Sequence, residues 1–340
     1  MRVPYAMQDF REIREENMLY VDKTKYIETL EEMDRYVLFL RPRRFGKTLF
    51  TSVLEYYYDI RFEADFDKLF GGLYIGSHKT KKANSYHVLK FNFSGMNTEK
   101  SRIKKSFADC VRVSLQEFVG VHRLNIEINE TSHESNTILR KFLVDYKVIT
   151  DSKIYLIIDE YDHFANDVLS DDREYFDYIT GRVGFVRNFY EVFKVFAGNT
   201  IERIFITGVT PITLDSLTSG FNLSKNLGNR NELNGMMGFT EEEVVYLLKK
   251  CNIDNDYVRI LREYYNGYLF AKNAKNKVYN SNLLMYFLSE FMYSNELPEN
   301  LVDTNVISDN TKLTKLFDLY EDSLKKGEII EDIVSGNELT

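Results

Sequence analysis

The chain has 340 residues, 44% hydrophobic and 28% charged, which is ordinary for a soluble globular protein with room for two domains or one large α/β domain plus an appendage. A formal charge of −8 argues against a protein that coats nucleic acid over its whole surface, while leaving a local basic patch open. Cys110 and Cys251 lie far apart with no His or Cys at metal spacing, which argues against a disulfide framework or a zinc site and makes a reducing cytoplasm the expected compartment.

The first residues lack the apolar core of a signal peptide, and no run approaches the roughly 20 apolar residues that span a bilayer, so no membrane contact is expected. Residues 22–33 have helical spacing, with Asp22 as the N-cap and Tyr26, Ile27 and Leu30 on one face. The apolar run at 36–40 is too short for a buried helix and predicts a central parallel strand that stops at Pro42. From Lys47 the pattern Leu49, Phe50, Val53, Leu54, Tyr57 is helical. A second strand is expected at 87–93, helices at 98–119 and 134–148, a third strand at 154–158, a helix near 173–194, and a fourth strand at 203–207. Such alternation implies a parallel sheet with helices on both faces. Past residue 236 only helices are expected, at 240–250, 254–265, 281–293 and 311–325; Thr240 and Glu243 have capping-box spacing in the first. The 24 Tyr and 25 Phe are expected to fill cores and seams between helices, because they are not interleaved with Lys and Arg as a single-strand binding surface would be.

Chemistry concentrates first at Arg41-Pro42-Arg43-Arg44-Phe45-Gly46-Lys47-Thr48. A P-loop reads G-x-x-x-x-G-K-[S/T] between a strand and a helix; the second half and the context are present, but Arg41 replaces the first glycine. Gly46 lets backbone approach phosphate at a helix N-terminus, Lys47 places a compact charge on the β- and γ-phosphates, and Thr48 offers a hydroxyl to Mg²⁺. Arg41, Arg43 and Arg44 suit phosphate, a neighbouring subunit or solvent equally.

The third strand runs into Asp159 and Glu160. Adjacent carboxylates at the end of an apolar strand are costly to bury without a cation. Asp159 is the expected Mg²⁺ partner and Glu160 the base that activates water. Asp162 suits backbone, metal-bound water or a helix cap. Thr207 ends the fourth strand, placed either to sense the γ-phosphate or to bond backbone. All these positions fall at carboxyl ends of parallel strands, where open α/β sheets bind ligands. His163 is near the acidic pair, but a surface or packing role is expected for it.

Several motifs in order carry a resemblance: Tyr20 to Thr24, Arg41 to Thr48, Phe91 to Ser94, Ile158 to Asp162, Ile206 to Val209, Ser216 to Gly220, Gly238 to Val244, Tyr265 to Tyr268, and Tyr279-Asn280. Together they resemble the bacterial AAA-ATPase-like domain, a family often fused to a C-terminal nuclease-like domain of the PD-(D/E)XK type. Its own P-loop lacks the first glycine and keeps the Arg-Pro-Arg-Arg run. The resemblance implies an α/β fold: a P-loop NTPase core, a parallel sheet flanked by helices, over residues 1–235, then an all-helical lid and linker over 236–340. It implies ATP and Mg²⁺ as ligands. Arg43, Arg44, Phe45, Gly46, Lys47, Thr48 and Leu49 would hold the nucleotide, with Tyr20 and Val21 near the adenine. Lys47, Glu160 and Thr207 would serve hydrolysis, and Thr48 and Asp159 the metal. The nuclease portion would begin beyond about residue 330; no Asp…Glu-x-Lys constellation stands in a strand context, so nuclease activity is not expected. An ATP-driven conformational switch or motor module leads; a nucleotide-binding regulatory module with little turnover, linked to defence or DNA processing, and a small-molecule kinase are the competing functions. A protein partner, self-assembly or nucleic-acid contact is compatible with each.

Overall fold

The computed structural model describes residues 2–181, 183–210, 224–298 and 300–301; the expected helix at 311–325 and the motif Ser216 to Gly220 lie outside them. Among the described residues five strands form one sheet: β1 (Tyr36–Leu40), β2 (His87–Asn92), β3 (Ile154–Asp159), β4 (Ile201–Gly208) and β5 (Lys225–Asn226). Their spatial order is β2-β3-β4-β1-β5, and every pairing is parallel. The four expected strands are present. β5 adds two exposed residues beside β1, too few to leave a periodic signal.

Alternation along each strand divides the interior in two, because successive side chains leave opposite faces of a sheet. Leu156 and Ile158 of β3 join Leu89, Phe91, Ile204 and Ile206 in one core, while Tyr155 and Ile157 join Val88 and Phe205 in the other. The helices Ile103–Val121, Ser135–Ile149 and Phe185–Phe196 cover the first face, and Lys25–Glu32 and Lys47–Tyr58 the second. All six residues of β3 are buried, as a central strand covered on both sides requires. Aromatic rings interlock within the first core, with Phe107 edge-on to Phe189 at 5.0 Å and stacked on Phe93 at 4.8 Å. Among the described residues no helix is long and apolar enough to cross a membrane.

Three expectations need correction. The helix near 173–194 is two helices, Arg173–Thr180 and Phe185–Phe196. At Gly184 between them a Cβ would stand 2.0 Å from the Ile179 carbonyl oxygen, a close approach that any other residue would prevent. Second, the region past 236 is not all-helical: β6 (Asn266–Tyr268) and β7 (Val278–Tyr279) pair as an antiparallel ribbon, too short to show a period of two. Third, Thr24 rather than Asp22 is the N-cap of Lys25–Glu32; the Asp22 carboxylate instead accepts from the Thr24 N–H and hydroxyl and from the Tyr74 N–H. The capping box of Thr240 and Glu243 is complete and opens the helix Glu241–Lys250. Leu19 and Val21 pack with Phe239, Leu247, Leu284 and Phe287 in a third core, so the N-terminal segment and the C-terminal helices share one hydrophobic cluster.

Candidate functional site

The loop between β1 and the helix Lys47–Tyr58 is built by backbone conformation. Gly46 has φ +85° and ψ 22°, and Arg44 has φ +69°, so two left-handed residues curl the chain before the helix begins. Only Gly adopts that region without steric cost, which explains Gly46. Arg44 holds it against strain, and its carbonyl accepts the Asn282 N–H and the Ser281 hydroxyl, each at 3.2 Å. The buried Lys47 ammonium donates to the carbonyls of Arg41 at 3.1 Å and Pro42 at 3.0 Å, bracing the loop from inside. Burial pushes the Lys47 pKa down, and the carboxylates of Asp162, Glu160 and Asp159 push it back up.

Arg41 does none of the three things its position suggests. Its buried guanidinium donates to the carbonyls of Leu40, Gly228 and Leu233. It lies over the rings of Phe39 at 4.2 Å and Phe270 at 4.0 Å. Burial lowers its pKa to about 9. Arg41 is therefore a bolt between β1, the turn after β5 and the ribbon region, and the missing glycine is a packing feature. Phe45 is equally structural: its buried ring meets Tyr268 edge-on at 4.8 Å and Phe270 at 5.3 Å.

The acidic strand end lies directly beside this loop. Ile158 pairs with Ile206, and Phe39 with Thr207, so Asp159 and Thr207 follow at the ends of adjacent strands. Asp159 is fully buried; burial raises its pKa, the Glu160 charge adds to the rise, and a hydrogen bond from Thr48 and the charges of Lys90 and Lys47 oppose it. Its Oδ2 and the Thr207 hydroxyl are buried without a hydrogen-bond partner. Buried polar atoms are normally paired, so two orphans side by side are unusual. Glu160 is half-buried with φ +51°, a strained conformation for a side-chain-bearing residue.

A cavity of about 460 Å³ opens over these groups. Tyr20, Val21 and every residue from Arg43 to Leu49 line it, together with Glu160. Asp159 and Thr207 do not; they sit buried beneath it. A family profile described as AAA-ATPase-like, predicted AAA-ATPase, matches residues 4–218, which span this loop and the acidic strand end. The chain belongs to the AAA-ATPase-like family. Membership makes it an ATP-binding, ATPase-like P-loop domain. The chain is 26% identical over 310 residues to an uncharacterized protein encoded in the vnfD 5′ region of Azotobacter chroococcum mcd 1, a match covering 89% of this chain and 55% of that protein. It thus spans about half the length of that relative. It is also similar to a Walker-type ATPase of Pyrococcus abyssi, at 12% identity and a TM-score of 0.46, over 96% of this chain and 79% of that one.

Sequence reasoning missed part of this AAA-ATPase-like cavity. Lys23, His163, Met236, Met237, Phe239, Asn282 and Met285 also line it. None stands at a motif spacing relative to the P-loop; only folding brings them there. Lys23 donates to both Glu243 carboxylate oxygens at 2.6 Å and to the Gly235 carbonyl at 2.8 Å, closing the cavity between the N-terminal segment and the helix Glu241–Lys250. His163, expected on the surface or in packing, lines the cavity beside Glu160. Asp162 bonds backbone: it accepts from the N–H groups of Val209 and Thr210.

Proposed function

We propose that this domain binds ATP with Mg²⁺ and hydrolyses it to ADP and phosphate, using the cycle as a conformational switch. The observation that carries the reading is the meeting of Lys47, Thr48 and Glu160 at one cavity over the carboxyl ends of β1, β3 and β4, with Asp159 buried next to Glu160. Lys47 would leave the carbonyls of Arg41 and Pro42 for the phosphate oxygens. Its burial strengthens that attraction, since charges interact more strongly out of water. The Thr48 hydroxyl and the unpaired Asp159 Oδ2 are hard oxygen donors that fit Mg²⁺, which would neutralise phosphate charge when bound. Glu160 would take a proton from the attacking water as the bond from its oxygen to the γ-phosphorus forms and the bond to ADP breaks. Thr207 would donate its unpaired hydroxyl to the γ-phosphate, and Tyr20 and Val21 would flank the base.

The switch reading rests on contacts between the loop and the region past 236. Arg44 holds Ser281 and Asn282, and Phe45 holds the ribbon. A loop that closes on phosphate would pull on both. We take 1–235 as the ATPase core and 236–340 as the lid and linker that responds.

Two variants test the proposal. Lys47→Ala should weaken ATP binding about 10- to 100-fold, the loss of charge-assisted hydrogen bonds, and abolish turnover. Glu160→Gln should keep ATP binding while turnover falls about 10²- to 10⁴-fold. Unchanged hydrolysis in Lys47→Ala would sink the ATPase assignment. Retained binding with equal turnover in Glu160→Gln would favour a nucleotide-binding regulatory module, and a phosphorylated small-molecule product would favour a kinase.

A further inference from the structure

Asp162 occupies the N-cap position of the helix His163–Asp171 but makes no capping hydrogen bond there. Its carboxylate, buried, turns toward β4 instead. It accepts the N–H of Val209 at 3.0 Å, and from Thr210 the N–H at 2.7 Å and the hydroxyl at 3.0 Å. Tyr161 reinforces the join: its N–H donates to the Thr207 carbonyl at 3.1 Å, and its hydroxyl donates to the Thr210 carbonyl. Gly208 is what lets the two strand ends close, for a Cβ there would stand 2.4 Å from the Tyr161 ring and 2.5 Å from the Asp162 carboxylate. An acid two residues beyond Glu160 thus grips the residues just after Thr207.

We infer that Asp162 is a positioning residue for hydrolysis: by binding the turn after β4 to the end of β3, it sets Glu160 and Thr207 relative to one another across the γ-phosphate position. Two features support this beyond simple packing. A buried carboxylate costs several kcal/mol unless hydrogen-bonded, and here both backbone N–H groups of the turn, at Val209 and Thr210, donate to it. Glu160 has a left-handed backbone that needs its surroundings to hold it, and Asp162 together with Tyr161 supplies the hold on its C-terminal side. One side chain therefore joins the end of β3 that carries Glu160 to the turn that follows Thr207, without lining the cavity itself.

The inference rests on the ATPase reading, and the test separates the two. In the full chain, Asp162→Asn keeps shape but removes the charge from these hydrogen bonds and sets an amide N–H₂ against the Val209 N–H that Oδ1 accepts at 3.2 Å, so the grip on Val209 and Thr210 weakens. ATP affinity should stay within about threefold while kcat falls about 100-fold, the size expected for a misplaced catalytic group. Amide exchange at Val209 and Thr210 should quicken, and ATP with Mg²⁺ should slow exchange jointly at 160–162 and 209–210 in the wild type but not in the variant. The milder Thr210→Val, which removes only the hydroxyl bond, should lower kcat about fivefold and add nothing in the double variant. Turnover within threefold of wild type in Asp162→Asn would overturn the inference, as would affinity lost in parallel with kcat, or additive effects in the double variant. If the wild type itself does not hydrolyse ATP, the ATPase reading fails, and the exchange measurement alone decides whether Asp162 couples the two strand ends.

Discussion

At Asp159 the chain keeps a carboxylate fully buried beneath the phosphate-binding loop, with one oxygen unpaired. Burial raises its pKa above the ordinary 3.8, so between the unfolded and folded values the native state holds the extra proton. Stability contributed by the neutral form is present below that window and lost as pH rises through it. At neutral pH the buried charge is therefore a cost in the nucleotide-free protein. Replacing it by Asn should raise the melting temperature of the nucleotide-free form, equivalent to about 1–3 kcal/mol, and abolish the further rise that ATP gives with Mg²⁺. Thermal melts with and without ATP and Mg²⁺ check both halves; a lower nucleotide-free melting temperature would contradict the sign.

Between elements, the bolt is Arg41. Sequence spacing presents it as a defect in a P-loop, and charge presents it as a phosphate ligand. Its three carbonyl acceptors and two aromatic neighbours show a different use. Arg41→Gly restores the usual glycine, yet it should destabilise the fold by about 3 kcal/mol or more, leaving carbonyls unpaired and a void between Phe39 and Phe270. Arg41→Lys should recover little of this, because a single ammonium cannot reproduce the planar fork. Urea titration of the three proteins checks the order; a Gly variant as stable as the wild type would remove the bolt.

Across the whole molecule, the histidines shape acid stability. The His122 ring stacks on His87 at 4.3 Å, and its side chain is fully buried with Nε2 3.5 Å from Asp59. Burial, the neighbouring His87 and the charge of Arg61 drive its pKa from 6.5 down to about 3. Below pH 6.5 the unfolded chain takes up a proton that the folded ring refuses until about pH 3, so stability falls as pH drops through that window. His87 is shifted down as well, chiefly by burial, and adds to the fall. His122→Phe should flatten the acid limb of a plot of stability against pH. An unchanged limb would assign acid sensitivity elsewhere.

The first four strands were legible because each carries a largely apolar, buried run within five to eight residues, and burial of that kind needs no information from afar. The turn and helix start at Gly46, Lys47 and Thr48 were legible because a glycine turn that opens a helix after an apolar strand is a local pattern. Asp159 and Glu160 stood out because charge at the end of an apolar strand is conspicuous. Thr207 was legible only as a strand end, and Arg41, Phe45 and Asp162 were legible as residues but not as parts. Their partners lie far along the chain at Gly228, Leu233, Tyr268, Phe270 and Val209, and the ribbon β6–β7 was too short to announce itself. The sequence alone determined the parallel sheet and the P-loop pattern, since both are local. Only the tertiary structure decided which charged side chains face the nucleotide cavity and which brace the scaffold, because that depends on which distant carbonyls and rings folding brings within hydrogen-bond and van der Waals reach.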